Sequence, residues 1–188
     1  GHQRLAVVDL STAGRQPMSS VTEGFIIVFN GEIYNHRELR NRMPGYAWHG
    51  DSDTETILAG IENWGLKKTL QASVGMFALA LWDKKLHTLS LARDRIGEKP
   101  LYYGWQGKSF LFSSELKSFN MHPDFRKEID IGSLELYIRK GYVPSPYSIY
   151  QGISKLIPGS IITLSDVSKS NQIPSVSFYW QLKNVISH

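Results

Sequence analysis

Apolar positions along this chain fall into short continuous runs and helix-spaced stripes, separated by turn residues. Arg4 to Leu10 reads as a buried strand, and Gly14-Arg15-Gln16-Pro17 breaks it. Phe25-Ile26-Ile27-Val28-Phe29 reads as a second strand ending at Asn30-Gly31. His36 to Met43 has helical composition and stops at Pro44-Gly45. Ser52-Asp53-Thr54-Glu55 predicts a capping box, in which Ser52 caps and Glu55 reaches back, with Ile57, Leu58 and Ile61 forming one apolar face behind it.

The middle of the chain is rich in strand signals. Met76 to Trp82 and Thr88 to Ala92 flank Asp83-Lys84-Lys85, which predicts a hairpin. Leu101-Tyr102-Tyr103 and Phe110-Leu111-Phe112 flank Gly104-Trp105-Gln106-Gly107 and predict another. Ser133 to Lys140 reads as a short helix closed by Gly141, and Tyr142 to Tyr150, with two prolines, as a loop. Ile161-Ile162-Thr163-Leu164 is a late strand, and the polar stretch Ser165 to Ser177 reads as a linker. No internal repeat is visible. Continuous apolar strands interspersed with helices predict a mixed sheet covered on both faces.

Composition narrows the function classes. With 188 residues, 41% apolar and 20% charged, the chain suits one globular domain rather than a disordered segment. The net charge of +4 comes from dispersed basic residues, with runs no longer than pairs such as Lys67-Lys68, which argues against nucleic acid as a partner. No segment approaches the ~20 apolar residues of a membrane helix, and Gly1-His2-Gln3-Arg4 does not open like a signal peptide; the expected compartment is the cytoplasm. The chain contains no cysteine, so it has no disulfide, no thiolate metal site and no thiol nucleophile of its own. The six histidines show no metal-ligand spacing. Gly107-Lys108-Ser109 imitates the end of a phosphate loop, but Tyr102 stands where the leading glycine belongs.

Asn30-Gly31 alone is a hairpin-turn signal. Its surroundings change that reading. Phe29-Asn30-Gly31-Glu32-Ile33-Tyr34-Asn35 followed by Glu38-Leu39-Arg40 resembles the asparagine synthetase family. The resemblance runs in order along the chain: Gly1-His2, Arg4-Leu5, Val8-Asp9-Leu10-Ser11, Gln16-Pro17-Met18, Ser52-Asp53-Thr54-Glu55 and Gly75-Met76-Phe77-Ala78. Ala92-Arg93-Asp94-Arg95, Gly97-Glu98-Lys99-Pro100-Leu101-Tyr102-Tyr103, Ser114-Glu115 with Lys117, Gly141-Tyr142-Val143-Pro144, Pro158-Gly159 and Tyr179-Trp180 carry it onward.

The resemblance implies an α+β fold, the αββα sandwich of N-terminal-nucleophile hydrolases, missing its first strands. It implies a class II glutamine amidotransferase (glutaminase) domain over residues 1–165, with 166–188 a linker towards an ATP-dependent synthetase domain. Glutamine hydrolysis needs a nucleophile, a base and donors aimed at the oxygen that becomes negative. By resemblance, the Asn30 side-chain amide and the Gly31 backbone N–H form that oxyanion hole. Arg4, a planar fork suited to a carboxylate, and the acids Glu32 and Asp53 would hold the two ends of glutamine, with Leu5 and Val8 lining the pocket. Without the resemblance, Arg4 reads as a strand-end surface residue, Leu5 and Val8 as core, and Asp53 as a helix-start acid favoured by the dipole.

In this family a cysteine opens the mature chain, its thiolate attacking the amide and its α-amine serving as base. That opening segment is expected to precede Gly1, and the half that binds ATP and Mg2+ and activates aspartate to follow His188. The 188 residues alone are therefore not expected to hydrolyse glutamine. No cofactor is expected within the domain itself; the expected partners are glutamine, the synthetase domain of the same polypeptide and, through an exposed sheet edge, a second copy. Two other readings are open: a non-catalytic scaffold domain in a relative that lacks the nucleophile, and an amidotransferase serving an acceptor other than aspartate.

Overall fold

The computed structural model describes residues 14–167 and 169–186. Nine strands occur among them: β1 (Met18–Ser19), β2 (Phe25–Ile33), β3 (Gly75–Asp83), β4 (Thr88–Arg93), β5 (Tyr102–Gln106), β6 (Ser109–Ser113), β7 (Ile153–Lys155), β8 (Ser160–Leu164) and β9 (Ser175–Phe178). The helices are α1 (His36–Asn41), α2 (Asp53–Trp64), α3 (Leu66–Ala72), α4 (Ile131–Lys140) and α5 (Lys183–Ile186), with a 3₁₀ turn over Leu116–Met121. A six-stranded sheet runs β1-β2-β3-β4-β8-β9, and a three-stranded sheet runs β6-β5-β7. Every pairing is antiparallel, where the sequence pattern had suggested a mixed sheet.

Side-chain alternation sorts the large sheet's residues onto two faces. Ile27, Phe29 and Ile33 of β2 and Phe77, Leu79 and Leu81 of β3 face one core, which they share with Leu39, Ile57, Leu58, Ile61 and Leu70 from the helices. Ala78 and Ala80 face the other way. With Leu91 and Ile162 they meet Leu101 and Leu156, so the second core lies between the two sheets. The small alanines let the sheets approach, while the larger residues on the opposite face fill the space beneath the helices.

Several boundaries differ from the sequence pattern; Gly104-Trp105-Gln106, expected as a hairpin connection, belongs to β5. β2 does not stop at Asn30-Gly31 but continues to Ile33, because Gly31 allows β3 to pass unusually close. A Cβ on Gly31 would lie 2.1 Å from the Met76 carbonyl oxygen and 2.6 Å from Phe77 Cα. The expected linker also contributes structure. Ser175–Phe178 pairs with β8 as β9, and the Tyr179 ring that follows is buried in the first core, its hydroxyl donating to the Arg93 carbonyl at 2.9 Å. Polar residues at the edge of a sheet carry little periodic signal, which is why Ser175-Val176-Ser177 read as linker.

Candidate functional site

The start of α2 sits under the outer edge of β2, and the loop before it holds it there. Ser52 Oγ accepts from Glu55 N at 3.2 Å, the expected half of a capping box. The Glu55 carboxylate does not return to Ser52; it accepts from His49 N (2.7 Å) and Gly50 N (3.1 Å) and pairs with Arg40 at 3.2 Å. Arg40 also donates to the Gly50 and Ser52 carbonyls and lies 4.1 Å over the Trp48 ring. This network fixes Asp53, the first residue of α2, which is buried.

Asp53 accepts from Ile33 N through Oδ2 (2.9 Å) and from Thr54 N through Oδ1 (2.8 Å). Burial pushes its carboxyl above the ordinary carboxylate value, opposed by those two N–H groups and by His36. Glu32 pushes in the same direction as burial, so the two acids lie within electrostatic reach of one another. His36 is itself lowered by burial, with Asp53 working against that shift.

The strand register fixes where Gly31 points its amide. Phe77, opposite Gly31, donates its N–H to Asp94 Oδ2 (3.3 Å) and accepts from Asp94 N (2.8 Å). Both backbone groups of Phe77 thus face β4, which makes Gly31–Phe77 a non-hydrogen-bonded pair of the β2–β3 ladder. The Gly31 N–H and C=O therefore point to the outer edge of β2. Residues of the same parity do likewise: Phe29 N donates to Gln16 Oε1 (2.6 Å) and Ile33 N to Asp53 Oδ2. β1 pairs only with Ile26 and Ile27, and so ends short of Gly31.

Asn30 and Glu32 point to the opposite face from the first core. Asn30 stands at a cleft of about 690 Å³ between the sheets, lined by Val28, Ala78, Leu101, Phe112, Ser114 and Met121 among others. Its Nδ2 donates to Ser114 Oγ at 3.0 Å. The structure thus gathers Asn30, Gly31, Glu32 and Asp53 along one stretch of β2 and the start of α2. Arg4, Leu5 and Val8, and the strand expected over residues 4–10, lie outside the described residues.

Two neighbours of this stretch were not singled out from sequence. Gln16 occupies the β2 edge at Phe29 and donates to Thr54 Oγ1 at 3.4 Å, tying that edge to α2. Ser114 reaches Asn30 from the other sheet. Both lie in segments that resemble the family, Gln16-Pro17-Met18 and Ser114-Glu115, but nothing in their local pattern reveals a long-range hydrogen bond.

The loop after β4 has a different character. Asp94, buried, accepts from the N–H groups of Phe77, Ile96, Gly97, Glu98 and Lys99. The Arg93 guanidinium, its pKa lowered by burial, donates to the carbonyls of Lys99 (2.7 Å), Leu156 (2.8 Å) and Gly97 (2.6 Å). Gly97 has φ +76°, and a Cβ there would meet Pro158 Cγ at 2.7 Å. Arg95 donates to the Gln71 and Ser73 carbonyls at the end of α3. Through Asp94 and Arg93 this loop binds its own backbone and braces the sheets, while Arg95 Nε stays buried without a partner among the described residues.

Helices and two antiparallel sheets in layers, with a buried carboxylate beside a strand-edge amide, define the class: a profile described as "Glutamine amidotransferase domain" matches residues 1–180, and the chain belongs to that family. Among curated relatives it is 39% identical over 170 residues to asparagine synthetase [glutamine-hydrolyzing] 3 of Bacillus subtilis, covering 88% of this chain and 27% of that protein. It is 39% identical over 166 residues to asparagine synthetase [glutamine-hydrolyzing] 1 of the same organism (87% and 26%) and 29% identical over 187 residues to amidase chyE of Penicillium rubens (98% and 26%). The chain thus spans about a quarter of the length of these relatives. Among solved structures, the glutamine phosphoribosylpyrophosphate amidotransferase of B. subtilis shares the fold with a TM-score of 0.66 at 19% identity, covering 95% of this chain and 34% of that one. The fold is the α+β sandwich of the N-terminal-nucleophile hydrolases that the resemblance implied. Among the described residues no helix is long and apolar enough to cross a membrane, and no group of three or more His, Cys, Asp or Glu is placed to hold a metal ion.

Proposed function

We propose that this chain is the glutaminase domain of a glutamine-hydrolysing asparagine synthetase, releasing ammonia from glutamine for amide formation on an activated aspartate. The observation that carries the reading is the Gly31 N–H, turned to the β2 edge between Phe29 N–H, taken by Gln16, and Ile33 N–H, taken by Asp53. Residues two apart in a strand are separated by about 7 Å. Glutamine, extended from its side-chain carbonyl carbon to its α-nitrogen, measures roughly 5 Å over four bonds. A glutamine lying along this edge can therefore set its amide oxygen at Gly31 and its ammonium at Asp53.

In this reading the Gly31 N–H and the Asn30 side-chain amide stabilise the negative oxygen that forms when a thiolate adds to the amide carbon. Ammonia then leaves, and water releases glutamate. Asp53 and Glu32 hold the α-ammonium, Arg4 the α-carboxylate, and Leu5 and Val8 flank the aliphatic chain. Both Asp53 oxygens keep a lone pair beyond their backbone bonds for this contact. The synthetase part of the polypeptide would bind ATP and Mg2+, form the acyl-adenylate and receive the ammonia. We place the start of the linker to it after Trp180, because Tyr179 is core. The cytoplasm suits this chemistry.

The deciding experiment is the intact mass and N-terminal sequence of the protein from its native source. A longer chain opening with cysteine supports a working glutaminase. A longer chain opening with another residue, or one starting at Gly1, overturns it in favour of a scaffold domain.

A further inference from the structure

We propose that Ser114 is a positioning residue for the oxyanion hole, fixing the Asn30 amide before glutamine arrives. The proposal rests on the reading of Asn30 as an oxyanion donor. An asparagine at the lip of a cleft turns readily about χ2, which has a broad profile and exchanges a donor end for an acceptor end. Only the donor end stabilises a negative oxygen; the carbonyl end repels it. Catalysis by such a donor depends on its being oriented in advance, so that no reorganisation is needed as the charge develops.

Ser114 supplies that orientation from the other sheet. Asn30 Nδ2 donates to Ser114 Oγ at 3.0 Å, a bond between residues 84 apart in sequence. The amide nitrogen carries two hydrogens, so this bond holds it in place and leaves one hydrogen for the substrate oxygen. Ser114 is itself held firmly. It follows directly on Ser113, the last residue of β6, which pairs with Tyr102 of β5, and the turn after it is closed by Glu115 N donating to Ser113 Oγ at 3.2 Å. The hydroxyl thus reports the position of the small sheet to the donor on the large one. The Ser114 side chain lines the same cleft as Asn30.

The test uses the full-length polypeptide, with glutamine hydrolysis and ammonia-dependent synthesis measured side by side. Ser114→Ala should lower kcat for glutamine about tenfold, less than the roughly 10²–10³ of losing the donor itself, with KM for glutamine and ammonia-dependent synthesis unchanged. Ser114→Thr, which keeps the hydroxyl, should restore kcat. In an Asn30→Ala background, Ser114→Ala should add nothing, because it acts only through Asn30. A wild-type kcat in Ser114→Ala, effects that multiply in the double variant, or a parallel loss of ammonia-dependent synthesis would each overturn the proposal. If Asn30→Ala alone leaves glutamine hydrolysis intact, the oxyanion reading fails first, a result distinguishable from failure of the Ser114 role.

Discussion

Asp53 and Asp94 are both buried acids that accept backbone N–H groups beside a core strand, yet they have opposite consequences. Asp94 collects five N–H groups from Phe77 and the loop it closes. A carboxylate offers about four lone-pair sites, so Asp94 is saturated and has nothing left for a ligand. Asp53 receives two N–H groups, those of Ile33 and Thr54, and burial drives its pKa upward. Its desolvation is only partly offset, and it stands beside an amide edge that β1 does not reach. Asp94 thus serves the scaffold, whereas Asp53, beside a stretch of β2 that no described strand covers, is the acid that the proposed function assigns to the substrate ammonium.

The comparison can be broken at either end. Asp94→Ala, which strands several buried N–H groups, should lower domain stability by about 3–5 kcal/mol, read as a shift in the urea midpoint. A loss below about 1 kcal/mol would show that the loop does not depend on its acid. Asn30→Ala in the full-length protein should reduce glutamine turnover on the order of 10²–10³ while sparing synthesis from ammonia. Parallel loss of both activities would remove it from the oxyanion hole.

Asp53→Asn sharpens the contrast. It should raise KM for glutamine by about tenfold while leaving the fold intact. Its pH behaviour has a definite sign. The folded-state pKa of Asp53 lies above the ordinary value, so the native state binds more protons, and stability from this group is full below the unfolded pKa and lost as pH rises through the folded one. Asp53→Asn should remove that fall, and an unchanged stability–pH curve would sink the account. The smallest effect is expected for Arg95→Ala, about 1 kcal/mol in the urea midpoint, because it removes only two bonds to carbonyls at the end of α3, the one to Gln71 exposed.

The sequence made local elements visible where a local cause sets them. The β3–β4 and β5–β6 hairpins follow from apolar runs around turn residues. α4 ends at Gly141, in the left-handed conformation at φ +76°, as read; it begins earlier than expected, with Asp130 Oδ1 accepting from Ser133 N. Causes distant in sequence were hidden. Asn30-Gly31 looks like a turn until Met76 and Phe77 are seen against it. Glu55 looks like the second half of a capping box until Arg40 draws it to the 49–50 loop. β7 is three residues long and β9 only four, two of them serine, so neither carries periodicity. At the site, the family resemblance, not the residue types, pointed to Asn30, Gly31, Glu32 and Asp53, and no one-dimensional pattern says which way a strand amide faces. That required the pairing of Phe77 with Asp94.

The alternation along β2 also sets a rule for changing this domain's length. Odd-numbered residues from Ile27 to Ile33 turn their amides to the outer edge, and even-numbered ones bond β3. A single residue inserted within the paired stretch ahead of Gly31 would turn the glycine amide inward and carry the apolar side chains to the wrong face. Two residues would restore both. Viable length variants of this strand should therefore differ by even numbers, a parity constraint written by the sheet rather than by any one side chain.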